Sequence, residues 1–199
     1  MTSEGHWHSA VVYQVYWRSF KDGNGDGIGD LKGLRSKIGY LSSLGVDAIW
    51  LNPTYPSPQG DHGYDVSNYF DVDPLFGTLE ELEQAIDEFH DHGMAVLLDI
   101  VPNHVSSQHP WFISAKEGGH GHEAESRFII RQGKGDSGGT PPNDWKSVFG
   151  GPAWSKFPTE AGRPQRWYLH MFDECQPDLN WENADVHERF EKILEHWYE

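Results

Sequence analysis

The hydrophobic pattern of the chain switches between two periods, and each switch marks a predicted element. Residues 11–17 are β-branched and aromatic and read as a strand. Leu31, Leu34, Ile38, Leu41 and Leu44 then recur at steps of three and four, the stripe of an amphipathic helix that Gly45 ends as a left-handed cap. A second strand, residues 46–51, follows at once. Thr78 with Glu81 has the spacing of a capping box, and Leu79, Leu82, Ile86 and Phe89 carry the next helix to its stop at Gly93. Residues 94–101 are almost continuously apolar, as a parallel strand covered on both faces would be. A last helix starts at about Ala184, with Asn183 as N-cap and Val186, Phe190, Ile193, Leu194 and Trp197 as its stripe.

Three β/α units in succession specify an α/β protein, and their connections are lopsided. A single glycine joins each of the first two helices to the strand after it, whereas the strand-to-helix loops span residues 18–30, 52–78 and 102–183. In α/β barrels the site is built from the loops at the carboxyl ends of the strands. The third loop, about 80 residues, is too long for a plain connection and is expected to hold a small inserted domain, with turns at the glycine clusters 118–121 and 133–142. Three units cannot close a parallel barrel of eight strands. The expectation is therefore an incomplete barrel: residues 1–103 as its N-terminal part, 104–178 as the insert, and 179–199 as the start of the return to the barrel.

Composition narrows the partners. With 15 Lys plus Arg against 31 Asp plus Glu the formal charge is −16, which repels phosphate and anionic headgroups and excludes nucleic acid and acidic membranes as main partners. The single cysteine, Cys175, cannot form an internal disulfide, and neither a secretory signal nor a membrane-length apolar run is present, so the expected location is the cytoplasm.

Three constellations carry candidate chemistry. Asp22, Asn24, Asp26, the Ile28 carbonyl and Asp30 place oxygen donors at alternate positions between glycines, matching the first nine positions of an EF-hand calcium loop. The match then stops, because Gly33 stands where the bidentate Glu should be and a strand precedes the loop. The reading is Ca2+, with Mg2+ as the lesser option; the alternative is a set of turns with Asp30 as helix N-cap. Asp99, Asn103 and His104 close the third strand, where an acid is either part of the site or a cap of loop amides. Asp61 and Tyr64 combine a hydroxyl acceptor with a stacking ring, as a sugar pocket needs; a rigid turn would use the same residues. His120 and His122 have no ligand quartet around them and do not suggest zinc.

Taken together, VVYQVYWRSFKDGNGDGIGDLKG, GVDAIWLNP, GYDVSNY, DIVPNH, NDWKSVFGGPAW and QPDLNWEN resemble, in order and spacing, the α-amylase superfamily (glycoside hydrolase family 13), within it the α-glucosidase and oligo-1,6-glucosidase group. The resemblance implies a catalytic (β/α)8 TIM barrel with a domain B inserted after strand three. It implies that Asp61, Tyr64 and His104 hold and stack the non-reducing glucose of an α-linked gluco-oligosaccharide. Phe149, Phe172 and Gln176 would line that pocket, Asp99 and Asn103 would support it, and residues 22–30 would be a structural calcium loop. The family's nucleophile, in a GFRxD-like stretch, and its acid/base would lie beyond Glu199, so these 199 residues alone are expected to be inactive and to need the remainder of the barrel as partner. The expected activity is retaining hydrolysis of short oligosaccharides. The alternatives are a trehalose synthase or sucrose isomerase type transglycosylase, and a non-catalytic barrel that binds a partner protein.

Overall fold

The computed structural model describes residues 6–198 and forms two compact units. One is built from the chain up to Pro56 together with Asp71–Ile100, the other from Ser57–Phe70 together with Val101 onward.

The first unit is a parallel sheet of β1 (Val12–Val15), β2 (Ala48–Leu51) and β3 (Ala95–Leu98), in sequence order, with Ala48 opposite both Val12 and Ala95. Around it lie α1 (Trp17–Phe20), α2 (Leu31–Arg35), α3 (Ile38–Ser43) and α4 (Leu79–Asp91). Trp17, expected as the last residue of the strand, opens α1 instead. Its indole donates to the Asn52 carbonyl at 2.8 Å and stacks on Phe76 at 5.2 Å, and burying the ring this way turns the chain out of the sheet.

The helix expected to run from Leu31 to Leu44 is two helices. Ser36 Oγ donates to the Gly33 carbonyl and Lys37 leaves helical geometry at φ −109°, so the ladder breaks while Leu31, Leu34, Ile38 and Leu41 stay buried. Leu44, the last residue of the expected stripe, is half exposed. Gly45 and Gly93 do take the left-handed backbone that ends a helix (φ 74° and 76°), and the Thr78–Glu81 capping box forms in both directions. The third strand comes last in this three-stranded sheet, as an incomplete barrel requires, with α4 packed on it; Leu97 is exposed in one row with Gln14 and Trp50, so the described residues cover only one of its faces.

The second unit holds the expected insert. Its antiparallel sheet runs β4 (Ile130–Gln132), β6 (Arg166–Leu169), β5 (Trp154–Phe157), over a core of Ala153, Trp154, Trp167 and Leu169. Phe112, from α5 (Pro110–Glu117), meets the rings of Phe128, Phe157 and Tyr168 edge-on. Glu125 accepts from both terminal guanidinium nitrogens of Arg166, at 2.7 and 2.8 Å, and ties the 3-10 turn Glu123–Arg127 to the sheet. Helix α6 (Ala184–Tyr198) is capped by Asn183, whose Oδ1 accepts from the Asp185 amide, and Phe190 packs its ring against Tyr69, Trp111 and Trp181. Leu194, expected in the buried stripe, is 52% exposed.

Two glycines separate geometric necessity from habit. A Cβ on Gly29 would lie 1.8 Å from the Trp17 carbonyl oxygen, while one on Gly39, in α3, would meet nothing within 4 Å. Gly29→Ala is expected to lower the melting temperature by several degrees, and Gly39→Ala to raise it through ~1 kcal/mol of helix preference. Thermal melts of the two variants check this; equal melting points would contradict it.

Candidate functional site

The site is made where three segments of the second unit meet. Residues 103–105 run antiparallel to residues 177–179: the Leu179 amide donates to the Asn103 carbonyl at 3.0 Å, and His104 pairs with Asp178. Tyr69 Oη, fully buried, donates to the carbonyls of Val101 (2.6 Å) and His104 (3.1 Å) and fixes this backbone from the other side. The third segment is the loop 57–65. Its organiser is Asp65, 0% exposed, whose carboxylate accepts from Ser57 Oγ at 2.8 Å and from the amides of Gly60 and Asp61 at 3.0 Å each. Gln59 and His62 sit in the left-handed region (φ 62° and 51°), a conformation that non-glycine residues hold only when their surroundings impose it.

These supports bring Asp61, His104 and Gln176 together. Gln176, 0% exposed, donates from Nε2 to Asp61 Oδ2 at 2.8 Å, and that same nitrogen lies 3.0 Å from His104 Nε2. Its Oε1 accepts from the Asp173 amide. His104 Nε2 is also 3.1 Å from the Tyr64 carbonyl. Burial holds the His104 pKa below the ordinary value, against the Tyr64 carbonyl and the charges of Asp61 and Asp65, so the ring is neutral at pH 7. One side of the imidazole is aromatic: Phe172 lies 5.1 Å from it, and Phe149, largely exposed, meets Phe172 edge-on at 6.0 Å. A carboxylate, a neutral imidazole and an aromatic wall can accept and donate hydroxyl hydrogen bonds and cover an apolar ring face. Tyr64 is half-buried beside them.

Of the remaining expected residues, Asn103 joins this group: its Nδ2 lies 3.0 Å from His104 Nδ1 and 3.1 Å from Asp178 Oδ1. Asp99 belongs to the first unit, where its carbonyl accepts from Tyr55 Oη at 2.8 Å; burial, helped by the Asp99 charge, pushes the Tyr55 phenol up.

The glycine-rich loop of the first unit keeps its oxygens ordered with its own amides. Asp22 accepts from the amides of Asn24, Gly25 and Gly27, Asn24 Oδ1 from that of Asp26, and Asp26 Oδ1 from that of Ile28. The Gly25 and Gly27 amides come first among the causes holding the Asp22 carboxyl below its usual range. Asp30 caps α2 through the Gly33 amide at 2.6 Å. Each carboxylate oxygen retains lone pairs and the donor set is that of a hard cation, although among the described residues no three His, Cys, Asp or Glu side chains converge on one point. No described helix is long and apolar enough to cross a membrane.

A family model described as the catalytic domain of alpha-amylase matches residues 14–199. The chain belongs to that family. Within the α-amylase family it is 44% identical over 191 residues to "Probable oligo-1,6-glucosidase 3" of Bacillus subtilis, covering 96% of this chain and 33% of that one. It is 46% identical over 193 residues to "Probable alpha-glucosidase" of Rhizobium meliloti, covering 97% and 34%. Among solved structures, an "alpha-glucosyl transfer enzyme, XgtA" superposes with a TM-score of 0.90 at 43% identity, over 96% of this chain and 35% of that one. The trehalulose synthase MutB superposes at 0.88 and 45%, over 96% and 33%. The chain thus spans about a third of the length of the curated relatives it matches. Its parallel strands are the first three β/α units of the α-amylase barrel, with the insert following strand three.

Two residues central to this candidate site went unassigned in the sequence. Asp65 stood in the same short block as Asp61, and Asp178 within QPDLN; each organises partners that no local pattern shows. Burial pushes the Asp178 carboxyl up to about 6, against hydrogen bonds from the Met171 amide and Asn103. An unfolded Asp ionises near pH ~3.9, so between about pH 4 and 6 the folded chain holds a proton that the unfolded chain has lost, and this group's contribution to stability falls as pH rises through that window. The melting temperature of Asp178→Asn relative to wild type should therefore shift in the variant's favour from pH 4 to pH 7. A difference that does not change with pH would contradict the raised pKa.

Proposed function

We propose that the protein to which these residues belong hydrolyses α-glucosidic bonds at the non-reducing end of short gluco-oligosaccharides, with retention of configuration. This chain supplies the pocket that grips the terminal glucose. The observation that carries the reading is the convergence of Asp61, His104 and Gln176 beside Phe172. Asp61 accepts hydrogen bonds from sugar hydroxyls, neutral His104 donates one from Nε2 by exchanging the Tyr64 carbonyl for the sugar, and Phe172, Phe149 and Tyr64 cover the ring. Gln176 keeps the Asp61 carboxylate aimed and does not react. Retaining cleavage needs a nucleophilic carboxylate and an acid/base carboxyl ~5 Å apart. In this reading both come from the remainder of the barrel, past residue 199, as the one-third coverage of the relatives supports. The net charge of −16 suits a neutral sugar better than nucleic acid or an anionic membrane, and the lone Cys175 suits the cytoplasm.

An assay of the full-length protein on aryl α-glucosides, maltose and isomaltose tests this, and glucose release from none of them would refute it. Asp61→Asn, which removes one charge-assisted hydrogen bond, is expected to lower kcat/KM roughly 10- to 100-fold. A second reading, glucosyl transfer or isomerisation, draws support from the two solved relatives named for transfer and for trehalulose synthesis. Isomerised or transferred products from sucrose or maltose, in place of glucose, would select it.

We also propose that Asp22, Asn24, Asp26, the Ile28 carbonyl and Asp30 hold a structural Ca2+, with Mg2+ as a weaker substitute. The alternation of oxygen donors and the amide bonds that orient them support this. Binding to the folded form alone would stabilise it by ~2.7 kcal/mol at a hundredfold excess over Kd. EDTA should lower the melting temperature of the full-length protein, and Asp26→Ala should remove that response while leaving turnover at low temperature nearly unchanged. A melting point indifferent to chelator would end the calcium reading.

A further inference from the structure

We propose that Asp178, acting through Asn103, fixes His104 in the tautomer that carries its proton on Nε2, the nitrogen that faces the Asp61 and Gln176 side of the site. The structure gives the chain of contacts directly. Asp178 Oδ1 accepts from Asn103 Nδ2 at 3.1 Å, and the same Nδ2 lies 3.0 Å from His104 Nδ1. An amide nitrogen can only donate, whereas a neutral imidazole has one donor and one acceptor nitrogen. With the Asn103 NH2 turned toward the ring, Nδ1 must accept, and the proton is left on Nε2. On the other side of the ring Nε2 lies 3.1 Å from the Tyr64 carbonyl oxygen, an acceptor only, and 3.0 Å from the Gln176 amide nitrogen, a donor; in the proposed tautomer the Nε2 proton is directed at the carbonyl.

Asp178 decides which way the amide of Asn103 faces. Its carboxylate is held in place by its own backbone, paired antiparallel with His104, and by the Met171 amide, which donates to Oδ1 at 3.2 Å. Because Oδ1 can only accept from Asn103, the opposite amide orientation would set oxygen against oxygen. Remove that oxygen and the Asn103 amide is free to turn, offering its own oxygen to a proton on Nδ1. Nε2 would then become an acceptor, and Gln176 Nε2, 3.0 Å away, is a donor in place to meet it. The two tautomers are therefore both accommodated by the pocket, and Asp178 tips the choice. Asp178 is a positioning residue in this account. The effect on sugar binding rests on the reading that His104 donates to a substrate hydroxyl, whereas the tautomer itself does not.

The test is nitrogen NMR of the full-length protein labelled at histidine, with His104→Gln identifying the signals, joined to kinetics on an aryl α-glucoside. The wild type should show a protonated Nε2 and a bare Nδ1 at His104. Asp178→Ala should move protonation onto Nδ1 wholly or in part and raise KM roughly tenfold, the size of one lost hydrogen bond. Asp178→Asn, which keeps an acceptor oxygen in place, should restore both. If Asp178→Ala does not fold, Asn103→Ala removes the same link with Asp178 intact and should shift the tautomer equally. A wild type protonated on Nδ1, or a tautomer unmoved in the folded variants, would overturn the proposal. A tautomer that moves while KM stays put would uphold it and remove His104 from the sugar contacts instead.

Discussion

A buried carboxamide holds the site together. Gln176 is inaccessible to water, so its polar atoms need partners within the protein. It finds them on two segments distant in sequence, Asp61 in the loop 57–65 and His104 in residues 103–105, and in the nearby amide of Asp173. Each partnership costs conformational freedom in a different piece of chain. The arrangement is stable only because those pieces are already ordered, the loop by Asp65 and the strand end by Tyr69 and the pairing with residues 177–179. Asp65 acts on the loop as Gln176 acts on the site. Its carboxylate satisfies two amides and a hydroxyl, and so keeps Gln59 and His62 in a backbone conformation they would otherwise leave.

Around this polar centre the second unit is aromatic. Phe172 separates His104 from Phe149, and Phe190 gathers Tyr69, Trp111 and Trp181 behind the strand end. The rings supply large buried area with few rotatable bonds, which suits a rigid pocket wall. Rigidity matters for a site whose proposed work is gripping a sugar, because every donor and acceptor must already point where a hydroxyl will arrive.

Features written within a few residues were legible in the sequence. The Thr78–Glu81 capping box, the Gly45 and Gly93 caps and the Asn183 cap depend on neighbours no more than four positions away, and all form. The motif blocks named the family, and of the residues it implied Asp61, His104, Gln176, Phe172 and Phe149 come together, while Asp99 lies in the other unit. What was not legible depends on distance along the chain. Trp17 leaves the strand for partners at Asn52 and Phe76, which periodicity cannot report. Asp178 reads as one acid among many until Asn103, 75 positions earlier, is placed against it. The glycine-rich loop is an intermediate case. Its Asx turns are local and present, while convergence of its oxygens on one cation is a property of the folded loop that spacing alone does not determine.

The central claim is that Asp61 and Gln176 act as one unit. A double-mutant cycle with Asp61→Ala, Gln176→Ala and the pair, read as unfolding free energy in urea on the full-length protein, tests it most directly. The account predicts that the two losses fail to add, with a coupling of roughly 1–2 kcal/mol, as for a shielded hydrogen bond to a carboxylate. Losses that add to within ~0.3 kcal/mol would mean that the two side chains are merely neighbours.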